Sequence, residues 1–158
     1  MSQWGAARYT QDVDIKVLVP DVNYTAVRTA LHIAFTEAAR LKAPPNPLIV
    51  AVMIGDVIVD FLLALPGYEE LIIERAVSCD MGGWSAWICS AEDLIIQKVI
   101  AGRRKDWSDV EALLIEQWGS LDESYIEGWL AQFAEALEQP EMLADYMNLM
   151  GEVKRLPG

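Results

Sequence analysis

Three aspartates are the residues of this chain best suited to chemistry. Asp12 and Asp14 stand two apart in Arg8-Tyr9-Thr10-Gln11-Asp12-Val13-Asp14-Ile15-Lys16-Val17-Leu18-Val19. That pattern reads as a β-strand with Val13, Ile15, Val17 and Val19 on one face and Asp12, Asp14 and Lys16 on the other. Two carboxylates on one face repel unless a cation lies between them. Magnesium, a hard cation that takes oxygen ligands, suits such a pair. The same pattern also suits the solvent face of an edge strand. Asp60 is the third acid, set in the apolar run Val57-Ile58-Val59-Asp60-Phe61-Leu62-Leu63. A carboxylate there is costly to bury unless it is paired, protonated or bound to a cation.

The elements that must carry these acids can be read from pattern and punctuation. Pro20-Asp21 ends the first strand, and Tyr24 to Leu41 has the spacing of an amphipathic helix. Pro44-Pro45-Asn46-Pro47 is a stiff loop that no helix crosses. Leu48 to Met53 and Val57 to Leu65 read as a hairpin turning near Gly55-Asp56. After Pro66-Gly67 comes a short irregular or helical piece, Tyr68 to Glu70. Leu71 to Cys79 and Trp84 to Cys89 then read as a second strand pair, turning through Met81-Gly82-Gly83. Ser90 is suited to cap a helix over Ala91 to Ala101, which Gly102 ends. Further helices are expected over Asp106 to Gln117, capped by Asp106, over Glu123 to Glu138, capped by Asp122, and from Pro140 to just before Gly151. The order is strand, helix, several strands, then helices: an α+β layout with a C-terminal helical part.

Composition narrows the function classes. The chain has 158 residues, 53% of them apolar, enough for one domain with a real core, or one domain plus a helical extension. The formal charge is −12, and residues 106–153 hold twelve acids and no Lys or Arg. We therefore divide the chain into a core over 1–105 and an acidic helical part over 106–158. An acidic surface of this kind repels nucleic-acid phosphates, favours solubility and attracts basic partners. No run of eighteen apolar residues is present and no secretory signal is visible, so the expectation is a cytoplasmic protein that does not enter a membrane. Cys79 and Cys89 read as reduced thiols. His32, the only histidine, has no partner for a zinc site and reads as a packed or half-exposed imidazole.

Taken together, "RYTQDVDI", "VDFLLAL", "ERAV" and "SAEDLIIQKVIAGRRKDWSDVEALL" resemble the minimal nucleotidyltransferases of the polymerase-β-like superfamily, nearest the AbiEii-type toxin branch of toxin–antitoxin systems. The resemblance spans about Trp4 to Leu114 and implies a nucleotidyltransferase-like mixed β-sheet flanked by helices. It implies a magnesium-dependent transfer of a nucleoside monophosphate from a nucleoside triphosphate to an RNA (such as tRNA) or protein hydroxyl. It also implies a cognate antitoxin as partner. Asp12, Asp14 and Asp60 match the metal-holding and catalytic acids. Lys98 matches the lysine of the family's "EDL…K" helix and Arg8 the arginine before the Asp-x-Asp; with Arg103 and Arg104 these would hold the nucleotide phosphates. The competing reading pairs Lys98 with Glu92 or Asp93, and makes Arg103-Arg104-Lys105 dipole-favoured positives beyond a helix C-terminus. Asp106 and Asp109 match the family's "KD…D" pattern.

One departure is plain. The family's Gly-Gly or Gly-Ser turn upstream of the Asp-x-Asp is not among these residues, which begin too late to hold it, and Gly5 has neither a partner residue nor room for a helix. The turn is expected either to precede these residues or to be truly absent. That departure opens a second reading, a catalytically degenerate protein of the same fold acting as a binding module. It also leaves the first strand short of a neighbour, which a homo-oligomer would supply.

Overall fold

The computed structural model describes residues 4, 12–35 and 46–155. The fold is α+β. It has two compact units, one over Tyr9–Ala76, the other over Met1–Arg8 with Val77–Gly158.

The first unit is built on a three-stranded mixed sheet. β1 (Asp12–Val17) runs parallel to β3 (Val57–Leu63), and β2 (Ile49–Ile54) runs antiparallel to β3, in the order β1-β3-β2. The β2–β3 connection is the two-residue turn Gly55-Asp56; Gly55 adopts φ 61°, which glycine enters without a Cβ clash. Alternation along the strands sends Val50, Val52, Val59 and Phe61 to one face, where they are buried. Val17, Leu31 and Phe35 pack on them, and the Phe35 and Phe61 rings lie 5.2 Å apart. Leu31 comes from α1 (Tyr24–Ala34), whose first turn is capped by the Asn23 carboxamide accepting from the Ala26 amide. The helix expected to run to Leu41 thus ends at Ala34, with residues 36–45 outside the described set. His32 is exposed in its last turn.

The run from Leu71 to Cys79 departs from expectation. It is not one strand: α2 covers Tyr68–Glu74, and only Val77–Asp80 is extended, as β4. A short apolar run such as Leu71-Ile72-Ile73 does not distinguish helix from strand by itself. The acids before it decide, since Glu69 and Glu70 occupy the first turn and the Glu70 carboxylate accepts from the Gly67 amide.

In the second unit β4 pairs antiparallel with β5 (Ser85–Ile88) as a separate ribbon. Four helices follow: α3 (Ala91–Ala101), α4 (Arg104–Glu116), α5 (Glu123–Ala136) and α6 (Glu141–Val153). Ser90 caps α3 by accepting from the Asp93 amide at 3.1 Å, and Gly102 ends it at φ 62°. Ile95, Ile96, Val110, Leu113, Leu114, Ile126 and Leu130 are fully buried and form the shared core. Tyr146 joins them from α6; burial, with the charges of Glu123 and Glu127, pushes its phenol pKa well up. Boundaries differ from expectation at three helices, and α5 ends at Ala136 rather than Glu138. The N-cap of α4 is Arg103 rather than Asp106, and α6 continues through Gly151 to Val153. A helix tolerates glycine at a cost of about 1 kcal/mol, which the burial of Met150 and Val153 on either side offsets. The charge boundary at 105/106 falls inside this unit, in the first turn of α4.

Candidate active site

The parallel register of β1 on β3 sets Asp14 directly opposite Asp60. Because the odd-numbered positions of β3 face the α1 core, Asp60 and its partner Asp14 belong to the other face of the sheet. Neighbouring strands lie about 4.8 Å apart, so two like charges are held side by side there. Asp14 is exposed and Asp60 half-buried. Asp12 occupies the position two residues earlier on β1, paired with Ile58. On the far side of Asp60 the register places Ala51, whose methyl leaves the floor beside the carboxylate low.

Lys16, the lysine of β1, is ion-paired with α2. Lys16 Nζ lies 2.6 Å from Glu69 Oε1, while Glu69 Oε2 accepts from the Leu65 amide at 2.7 Å. The ammonium therefore ties β1 to the first turn of α2. Oxygen-only donors in a like-charged pair fit a hard divalent ion. Among the described residues no group of three or more His, Cys, Asp or Glu is gathered to hold a metal ion. The Asp12 side chain, like the whole of Arg8, lies outside those residues.

The remaining expected site residues belong to the second compact unit. Lys98, in the last turn of α3, places Nζ 2.6 Å from Asp109 Oδ2 and 3.8 Å from Asp106 Oδ1. Its ion pairs thus run to α4 rather than to Glu92 or Asp93, because α3 and α4 pack together and the lysine stem spans the gap. Arg103 forks onto Asp106, Nε at 2.5 Å from Oδ2 and Nη2 at 3.1 Å from Oδ1. Burial would raise the Asp106 carboxyl, but the Arg103 hydrogen bonds and charge, with the charge of Lys98, overcome this and hold its pKa below 3.8. Arg104 is exposed as the first residue of α4. The cluster pairs two cations with two nearly buried carboxylates, a neutral set that fixes the α3–α4 turn.

One polar constellation was not anticipated. Asp93 is fully buried; its Oδ2 accepts from the Ser90 hydroxyl at 2.7 Å and its Oδ1 from the Tyr125 hydroxyl at 2.8 Å. Tyr125 also begins an aromatic row with Trp129 and Phe133, spaced four residues apart on α5. The spacing of that row was readable in sequence; its link to Asp93, 32 residues away, was not.

No protein-family model matches the chain, and no curated protein matches it. Among the described residues no helix is long and apolar enough to cross a membrane.

Proposed function

We propose that the protein is a magnesium-dependent nucleotidyltransferase that moves a nucleoside monophosphate from a nucleoside triphosphate to an RNA or protein hydroxyl. The observation that supports this most is the register that sets Asp14 against Asp60 on the face of the sheet away from α1. Asp12, Asp14 and Asp60 would hold the metal, which would neutralise the phosphate oxygens when bound. Asp60, opposite Ala51 in the register, would receive the proton of an incoming hydroxyl. The low floor at Ala51 gives that hydroxyl room. Arg8, Lys98, Arg103 and Arg104 are the cations proposed for the phosphates. A toxin role with a cognate antitoxin fits the sequence resemblance.

A second reading, a degenerate member of this fold acting as an interaction module, draws support from the ion pairs of Lys98 and Arg103. Both cations already have carboxylate partners. A lysine so placed must leave Asp109 before it can hold a triphosphate. The two readings separate in one calorimetric experiment. The intact chain is titrated with each nucleoside triphosphate, with and without magnesium, beside Asp14→Ala and Asp60→Ala. Magnesium-dependent binding that disappears in both variants, together with transfer of an α-phosphate label to an acceptor, is the expected result. Absence of nucleotide binding in the intact chain retires the enzyme reading in favour of the module.

A further inference from the structure

The β4–β5 ribbon carries an exposed face that the proposed catalysis does not use. Residues pair Val77 with Ile88, Ser78 with Trp87, Cys79 with Ala86 and Asp80 with Ser85. Cys79 is buried, so its face looks inward, and alternation sends Ser78, Asp80, Ser85 and Trp87 outward. All four are exposed. Trp87 is 74% exposed, and Trp84, at the turn, 62%. Tryptophan is seldom left this bare, and so exposed a ring on a strand face asks for a partner.

The face is also chemically defined. Asp80 stands diagonally across from Trp87, a separation of about 7–8 Å in an antiparallel pair. The residues directly opposite each of them are Ser78 and Ser85, so nothing large stands between ring and carboxylate. Asp80 Oδ1 accepts from the Gly82 and Gly83 amides at 2.9 and 3.4 Å, which anchors the side chain. An indole face attracts a cation, and a carboxylate takes a guanidinium by hydrogen bonds. The surroundings reinforce the sign: residues 77–158 carry fifteen acids against six Lys and Arg, a formal −9. Three of those six, Lys98, Arg103 and Lys154, are ion-paired within the unit.

We infer that the outward face of the β4–β5 ribbon docks a basic segment of a partner protein, seating an arginine between the Trp87 ring and the Asp80 carboxylate. The same charge disfavours nucleic acid and anionic lipid as occupants. The inference is independent of nucleotidyl transfer.

Calorimetric titration of the full chain with a blocked hexa-arginine peptide near physiological ionic strength tests it. Trp87→Ala leaves the net charge unchanged, so diffuse attraction is blind to it, whereas the seated arginine loses its ring. Binding about five- to tenfold weaker than that of the intact chain is expected. Asp80→Asn keeps an oxygen for the glycine amides and removes the charge; it is expected to weaken binding to a similar degree. Trp118→Ala, which removes an exposed tryptophan outside the ribbon, is expected to leave affinity unchanged. Circular dichroism melting confirms that each variant is folded. Four results overturn the inference: no peptide binding by the intact chain, equal binding by Trp87→Ala, Trp87-dependent association with phosphatidylcholine vesicles in place of peptide, or Trp87-dependent self-association in sedimentation.

Discussion

The two compact units treat their carboxylates in opposite ways. In the helical unit Asp93, Asp106 and Asp109 are at most 8% exposed, and each has charged or hydroxyl partners within 2.8 Å. In the sheet unit Asp14 and Asp60 are more open to solvent and face one another across a strand pair. Buried acids with good partners are structural, because burial without them costs several kcal/mol. Like-charged neighbours on an accessible sheet face gain nothing for the fold, and a cation is what reconciles them. The contrast is one of burial and register: the acids of the helical unit are enclosed, while Asp14 and Asp60 lie on a more open sheet face.

Removing a partner in the helical unit is the largest expected perturbation of this contrast. Lys98→Met keeps the length and apolar stem but removes the ammonium 2.6 Å from Asp109. The expected loss is about 3–5 kcal/mol, the usual cost of breaking a buried pair on one side. Denaturant melts at neutral pH measure it, and a loss below about 1 kcal/mol shows the pair to be solvated instead. Asp93→Ala is expected to cost less, about 1–3 kcal/mol, by stranding the Ser90 and Tyr125 hydroxyls. Pairing it with Tyr125→Phe in a double-mutant cycle isolates their coupling, and additive losses would show that the two do not act together.

These partners show where sequence reading reaches and where it stops. α3 was legible to the residue because its limits are local: Ser90 offers an oxygen three residues before the Asp93 amide, and Gly102 takes the left-handed turn. The hairpin at Gly55-Asp56 was legible for the same reason. α2 was not, since Leu71-Ile72-Ile73 suits either period and the deciding acids lie just upstream. Asp12, Asp14 and Asp60 could be named from their apolar settings. That Asp14 meets Asp60 depends on a parallel register between strands separated by a helix and another strand. Lys98 could equally be paired with Glu92 or Asp93 until the α3–α4 packing fixed Asp109 as its partner.

In the sheet unit the sign of the effect should reverse. Asp60→Asn removes a like charge facing Asp14, so without divalent ions the variant is expected to be more stable than the intact chain, by about 0.2–1 kcal/mol. Magnesium should raise the melting temperature of the intact chain by mass action and raise that of the variant less. A variant less stable than the intact chain in metal-free buffer would place Asp60 among the structural acids and erase the contrast.

The smallest expected effect lies in the acid range and isolates Asp106. Its folded pKa is lowered from 3.8, so the folded state binds its proton less readily than the unfolded chain. Stability from this group is therefore fully present above about 3.8 and disappears as pH falls through the lower folded value. Asp106→Asn cannot titrate. The stability difference between the intact chain and this variant should be constant from neutral pH down to about 4 and shrink below that. The Arg103 fork, with the charge of Lys98, lowers the value, so Arg103→Gln should move the shrinkage upward, toward the ordinary carboxylate range. Denaturant melts of all three across the acid range read the two onsets. If the curves of the intact chain and Arg103→Gln bend at the same pH, then Lys98 alone sets the Asp106 carboxyl, and the fork serves only to start α4.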